Sequence, residues 1–447
     1  MSLPSYPEYK DSGVDWLEKV PANWSIAPLK CCFMIYGGST PKSDETSFWD
    51  GEIVWVSPAD LSKLSTLYIN DSARKITYAG LNSCGTTLVP EGSIVLSTRA
   101  PIGSLAIAKT ELCTNQGCKS LVPKAGIDEL FYAYCLLAST KALNLRGKGT
   151  TFLELSADEL GAFKVPLPPF DEQAAVAAFL NRETGKIDAL ISEQEKLLIL
   201  LAEKRQATIS YAVTRGLSAG APMKESGTKW LQKIPSHWDV RTIAKCTTKI
   251  TNGYVGPTRD ILVDEGVPYI QATHIKNGRI NFGNDYFVTR EWSQGRAKSI
   301  LEDGDVLIVQ TGAGTGDVGL VSSQEAGFNC HALIILSPDP TVLSGAFLCA
   351  TLQSTYGRET LASIQTGAMH PHLNCGEVKF VDLPVPPLVE QAKIVDFILS
   401  ETAKLDALKY QAERAIKLLT ERRAALIAAA VTGKVDVRNA ASEELAA

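Results

Sequence analysis

Gly314-Thr-Gly-Asp-Val-Gly319 has the G-x-G-x-x-G spacing that lets backbone approach a dinucleotide phosphate or the carboxylate of S-adenosylmethionine. That chemistry needs a helix to open at the glycines, so that its N-terminal amides meet the anion. Val318-Gly-Leu-Val-Ser322 reads instead as a strand, which makes the string a Gly-rich turn. Leu167-Pro-Pro-Phe170 approaches the Asp/Asn-Pro-Pro-aromatic signature of amino-methyltransferases, but it lacks the polar residue that would hold the target amine. Gly147-Lys-Gly-Thr150 misses a P-loop because position 142 is alanine. His370 and His372 flank Pro371 with no further ligand at metal-binding spacing, and the ten cysteines contain no C-x-x-C pair. No catalytic residue, cofactor or metal is expected in this chain.

The elements around these strings are organised by an internal repeat. Lys10 to Trp24 aligns without gaps to Lys224 to Trp238, an offset of 214. Pro166-Leu-Pro-Pro-Phe-Asp-Glu-Gln173 matches Pro384-Val-Pro-Pro-Leu-Val-Glu-Gln391 at an offset of 218. The same offset carries Ile187-Asp-Ala-Leu190 onto Leu405-Asp-Ala-Leu408 and Glu203-Lys-Arg205 onto Glu421-Arg-Arg423. Ile53 to Val56 answers Val267 to Ile270, and Ile94 to Ser97 answers Asp305 to Val309, all short β-type runs. Around those runs the copies diverge: Ser97-Thr-Arg-Ala-Pro-Ile-Gly103 stands against Gln310-Thr-Gly-Ala-Gly-Thr-Gly316, and Gly149 to Phe152 against Gly367 to His370. The pattern predicts one scaffold used twice with different surface chemistry.

After each Pro-rich junction the period changes from two to three and a half. Val176, Leu180, Glu183, Ile187, Leu190, Gln194, Leu197 and Leu201 step by four and three. Their counterparts are Ile394, Ile398, Glu401, Leu405, Leu408, Ala412, Ala415 and Leu419. This is a coiled-coil signal. Each helix is expected to run about 45 residues, roughly 65 Å, from the prolines to Gly216 or Gly433. Helices of that length need a partner, so the two are expected to pair antiparallel, with Glu183 and Glu401 setting register or meeting a partner. The predicted class is α+β: two sheet-containing domains joined by two long antiparallel coiled-coil helices in a pseudo-two-fold tandem duplication. Its parts are 1–165, a first domain; 166–216, a first spacer helix; 217–383, a second domain; 384–435, a second spacer helix; and 436–447, a tail.

Composition narrows the class further. The chain has 447 residues, 45% hydrophobic and 21% charged, which excludes disordered and membrane-spanning classes. Met1 to Lys10 lacks the basic start and apolar core of a signal peptide, so a cytoplasmic protein with reduced thiols is expected.

The order of these motifs, twice over, resembles the specificity subunit of a type I restriction-modification system. The residues that carry the resemblance are the Gly-x-x-Trp-Leu-x-x-(Val/Ile)-Pro-x-x-Trp openings at Gly13 to Trp24 and Gly227 to Trp238, and the Pro-Pro-x-x-Glu-Gln helix entries. The Gly37-Gly-Ser-Thr-Pro41 turn and the helix-terminal Val-Thr strings at Val213 and Val431 add to them. The resemblance implies two target-recognition domains, each reading one half of a split, asymmetric DNA site. It implies paired helices that set the spacing and dock two methyltransferase subunits, with motor-nuclease subunits joining for restriction. S-adenosylmethionine, ATP and Mg belong to those partners, and this chain is non-catalytic.

Residues 1–165 hold 15 basic and 17 acidic side chains, and 217–383 hold 14 and 16, so neither domain is globally basic. Much of the phosphate contact is therefore expected from the docked methyltransferases. Base reading needs side chains such as Arg or Lys for guanine and Asn or Gln for adenine. In the first domain the loop candidates are Arg99, Asn115, Gln116, Lys119, Lys148, Thr150 and Thr151, with Lys42 and Ser43 as phosphate contacts. In the second they are Gln310, Thr311, Asn329, His331, Gln365, His370 and His372. Asn115 and Asn329 align at offset 214 and read equally well as turn residues of the scaffold. Two other readings stand beside this one: the recognition portion of a self-contained methyltransferase-nuclease, and a coiled-coil scaffold that binds no DNA.

Overall fold

A computed structural model describes residues 4–99, 101–148, 153–283, 285–367 and 371–438. The chain divides into two compact units, residues 1–194 with 414–447, and residues 195–413.

In the first unit, Phe33–Gly37, Cys118–Pro123, Ile94–Ser97, Leu105–Ala108 and Tyr68–Ile69 form a five-stranded sheet in that order. The pairings are antiparallel except for the last. A second sheet places Trp49–Val56 between Leu112–Thr114 and Lys75–Ile76. Every residue of Ile94–Ser97 and Leu105–Ala108 is buried, because a helix, Glu129–Ala138, packs against this layer. The second unit repeats the plan with Thr247–Asn252, Leu333–Pro338, Val306–Val309 and Val318–Leu320 in one sheet and Gly345–Gln353 as the covering helix. The string Gly314 to Gly319 runs from a turn into the strand Val318–Leu320; no helix opens there.

Each Pro-Pro junction is held by the glutamine that follows it. Gln173 is buried; its Oε1 accepts the Asp128 amide at 3.0 Å and its Nε2 donates to Pro168 O at 2.9 Å. Gln391 does the same with the Ser344 amide and Pro386 O, each at 2.9 Å. Asp128 and Ser344 are the N-caps of the covering helices, so one amide ties domain to spacer in both copies.

The long helices are Phe170–Arg215 and Leu388–Val431, closed by Gly216 and Gly433 at φ 72° and 71°, the left-handed conformation that a glycine adopts without strain. Within the first unit the start of one packs with the end of the other: Val176, Ala177 and Leu180 share a core with Ile427, Ala430 and Val431. Asp188 pairs with Arg423 through contacts of 2.7 and 3.1 Å. Arg438, beyond the second helix, approaches Glu172 at 3.8 Å, so the direction is antiparallel. In the second unit Arg205 pairs with Asp406 at 2.7 Å. Asp188 and Asp406, and Arg205 and Arg423, are 218 apart, so one ion pair is made twice.

The seam differs from the expected one at alternate steps. Leu190, Leu197 and Leu408 are 51%, 38% and 47% exposed, while Thr184 and Thr402 are buried and Ile191, Leu198 and Ile416 are half-buried. Ala415 and Leu419 are half-buried; Val176, Leu180, Ile187, Leu201, Ile394, Ile398 and Leu405 are buried. The inward stripe is 180, 184, 187, 191, 194, 198, 201, one residue later than expected at every second position. Thr184 is accommodated because its hydroxyl meets Leu180 O at 2.7 Å and the Tyr134 hydroxyl at 3.0 Å. Glu183 and Glu401 consequently sit beside the seam, paired within their own helices with Lys186 at 3.0 Å and Lys404 at 2.6 Å.

Candidate nucleic-acid interface

In both units the chain leaves the central strand, makes a Gly- or Pro-containing turn, and is then bridged by a later segment. In the first unit, Leu155 N donates to Thr98 O at 2.9 Å, and Glu154 forms β-bridges to both Arg99 and Lys148. In the second, Leu373 N donates to Gln310 O at 2.9 Å, and His372 bridges both Thr311 and Thr366. Backbone bonding therefore makes Arg99, Lys148 and Glu154 the counterparts of Thr311, Thr366 and His372. The two fingers share a frame and differ in charge.

Arg99 meets Glu154 at 3.1 Å while remaining 44% exposed, and Lys148, 80% exposed, meets Glu159 at 2.6 Å. Exposed pairs of this kind contribute roughly 0–1 kcal/mol, so an incoming nucleic acid can replace the carboxylate at little cost. In the second finger Thr311 is exposed, and Gln365 and His372 are half-buried. Thr150, Thr151 and His370 lie outside the described residues.

Two amides in the second unit are occupied inside the fold. Gln310 is 4% exposed and its Nε2 donates to Asn252 Oδ1 at 2.9 Å. Asn329 is fully buried, its Nδ2 donating to Ser293 Oγ at 3.2 Å and its Oδ1 accepting the Cys330 amide. Nor is Asn329 the counterpart of Asn115. Asn329 pairs with Tyr269 as Cys113 pairs with Trp55, and the Asn115 amide donates to Val56 O as the His331 amide donates to Ile270 O. The position of Asn115 is thus filled by His331, two residues later than the fixed offset places it.

Asn115 is half-buried and its Oδ1 accepts the Gly117 amide at 2.9 Å, a turn contact. Gln116 beside it is exposed and bonds the Thr40 hydroxyl. His331 Nδ1 lies 3.3 Å from the Tyr269 hydroxyl, and burial holds its imidazole below the usual value, in the neutral form. Lys119 is half-buried on the strand Cys118–Pro123. Lys42 and Ser43 are exposed on the turn leading to Trp49, whose ring carries the Arg74 guanidinium at 3.5 Å.

Burial pushes the thiols of Cys113 and Cys118 up to about 12, which keeps them protonated and poor as ligands or nucleophiles. Among the described residues no group of three or more His, Cys, Asp or Glu side chains is placed to hold a metal ion. No helix among them is long and apolar enough to cross a membrane.

Two sheet-containing domains on one plan, each tied through a Pro-Pro-x-x-Glu-Gln entry to a long helix, define a duplicated recognition architecture. The family described as type I restriction modification DNA specificity domain matches residues 21–198 and again 235–418, and the chain belongs to that family. Similar proteins include the type I restriction enzyme MjaIX specificity subunit of Methanocaldococcus jannaschii, 29% identical over 61% of this chain and 62% of that protein. The EcoBI specificity subunit of Escherichia coli is 23% identical over 80% of this chain and 76% of its own length. The fold matches, at a TM-score of 0.65 and 17% identity, a chain solved in work on complex assembly and conformational transition of the type I R-M system, covering 92% of this chain and 98% of that one.

Proposed function

We propose that this chain is the non-catalytic DNA-recognition subunit of a type I restriction-modification complex, each unit reading one half of a bipartite asymmetric site. The observation that carries the reading is the pair of fingers: the same backbone bridges present Arg99, Lys148 and Glu154 in one copy and Thr311, Thr366 and His372 in the other. A scaffold without a ligand has no reason to hold this frame while changing the charge at its tips. The paired helices set the half-site spacing and dock two methyltransferase subunits, which bring S-adenosylmethionine. Motor-nuclease subunits bring ATP and Mg. Base flipping and methyl transfer take place in the methyltransferase. Among the residues described above, Arg99, Lys148, Gln116, Thr311, Gln365, His372 and His331 are the base or phosphate contacts, with Lys42 and Ser43 at the flank; Asn115 and Lys119 support the turn beside them. The complex acts on chromosomal and incoming DNA, in the cytoplasm.

The test separates spacing from base choice. One heptad inserted into both long helices adds about 10 Å of helix, roughly three base pairs of DNA. Methylation profiling of cells carrying the complete system is expected to return the same two half-sites with a longer gap. A change in the bases read would contradict the reading.

A further inference from the structure

The second unit contains a cleft of about 720 Å³ between its recognition domain and the long helices. Leu198, Leu201, Ile209 and Leu405 form its apolar wall, and Lys276, Arg279, Arg358 and Lys409 line it with positive charge. Lys276 and Arg279 flank the hairpin turn Asn277-Gly278, both of whose residues are left-handed, at φ 52° and 77°. In that hairpin Lys276 and Arg279 are directly paired, and like charges opposite one another across a ladder are destabilising. Neither they nor Arg358 have an ion-pair partner among the described residues; Lys409 has Glu413 at 3.8 Å. Of the acids lining the cleft, Asp406 is already paired with Arg205 at 2.7 Å, which leaves Glu203. Three cations without an ion-pair partner among the described residues, against Glu203 alone, in a chain of net charge −5, mark a place suited to an anion.

A smaller cleft shares Asn277, Gln353 and Arg358 with this one and continues it to Gly316 and Asp317. Those residues belong to the turn after Thr311, where the Thr315 hydroxyl donates to Pro371 O at 3.3 Å beside His372. The cleft thus reaches the base of the finger, with Arg358 and Asp317 the charged residues of the passage.

Among the described residues the sister unit differs at these positions, its cation at this place being Lys109, whose ammonium lies 4.4 Å over the Tyr68 ring. Leu320 N donates to Gly278 O as Ile107 N donates to Leu67 O, which makes Ser65 and Tyr68 the counterparts of Lys276 and Arg279. Arg358 is the fourth residue after the helix-capping Ser354, and the fourth after the corresponding Ser139 is Leu143. Lys409 falls on Ile191 at offset 218.

We infer that this cleft holds the sugar-phosphate backbone of the DNA beside the half-site read by the second unit, so that the chain grips its DNA unequally, with a backbone clamp on one side only. The inference rests on the reading proposed above, and the clamp fixes position without choosing bases.

The test uses the chain assembled with its methyltransferase and a fluorescent duplex carrying the methylated site, with affinity measured against salt. The substitutions Lys276→Ser, Arg279→Tyr and Arg358→Gln together, all at exposed positions, are expected to flatten the salt slope by about 2–3 and weaken binding about 10- to 100-fold at low salt. The bases methylated stay the same. The charge-keeping set Lys276→Arg, Arg279→Lys and Arg358→Lys is expected to retain the slope, which separates lost charge from lost folding. An unchanged slope in the neutral set overturns the inference, as does failure of that set to join the methyltransferase without DNA, which would make the occupant an acidic protein segment. A wild-type assembly with no sequence preference would overturn the reading of the whole chain, and is seen before any substitution is made.

Discussion

Glu172 and Glu390 occupy the same place in the two helix entries, and their surroundings have parted. Glu172 is buried and accepts Trp24 Nε1 at 2.8 Å, Asn23 Nδ2 at 2.6 Å and the Tyr6 hydroxyl at 3.2 Å. Glu390 is more exposed and meets His237 Nε2 at 2.7 Å, while Trp238 Nε1 is buried with no hydrogen-bond partner among the described residues. In the first unit the strand of chain through Tyr6 and the ion pair of Arg438 with Asp436 at 2.6 Å close over the carboxylate. Duplication thus kept the acid and the tryptophan, and what covers them decides how strongly the entry is held. The fingers teach the same lesson: frame retained, contacts changed.

The largest expected difference lies at these glutamates. Glu172→Ala strands buried donors from Trp24 and Tyr6, at about 1–3 kcal/mol for an unmet polar group, and is expected to lower protection of the first unit's core amides in hydrogen exchange by ten-fold or more. Glu390→Ala removes an exposed contact and leaves an indole that was already unpaired, so protection in the second unit should change by less than about three-fold. Equal losses in the two units would break the comparison.

A smaller effect sharpens it. His331 is held neutral by burial where the sister unit has Asn115. The unfolded chain takes up a proton near pH 6.5 and the folded one only below that, so His331 destabilises the second unit as pH falls from about 6.5 toward the folded value, and is silent above it. His331→Asn is expected to remove that part of the acid-side slope while leaving neutral-pH stability nearly unchanged. An identical slope in wild type and variant would show that the ring is not shielded.

Much of the frame was legible in the sequence because it rests on repetition and period. The strands Trp49–Val56, Ile94–Ser97 and Val267–Ile270 fall where short β-type runs stand in both copies. The seam was legible only in part: Leu190-Ile191 and Leu197-Leu198 put two apolar residues side by side, and either member fits the period. Contact with the domain, through Tyr134 on Thr184, chooses the register. The recurrence of Asp188 with Asp406 and Arg205 with Arg423 was visible, but its reason was not, since each pair joins one copy's aspartate to the other copy's arginine. At the candidate interface, Gln310 and Asn329 show why residue type misleads: an amide that can read adenine can equally satisfy a buried turn, and only burial tells them apart. The grouping of Lys276, Arg279 and Arg358 is not legible in the sequence, because they are 82 residues apart at the extremes and only the hairpin and helix bring them to one cleft.

On this account the fingers carry most of the base choice, and the sheets and long helices carry none. The most direct test is to give the first finger the second finger's residues, Arg99→Thr, Lys148→Thr and Glu154→His, and to profile methylation in cells carrying the complete system. The account predicts that the half-site read by the first unit changes or is lost, while the other half-site and the gap between them stay as they were. Methylation of the original site at undiminished frequency, or simultaneous change in both halves, would contradict it.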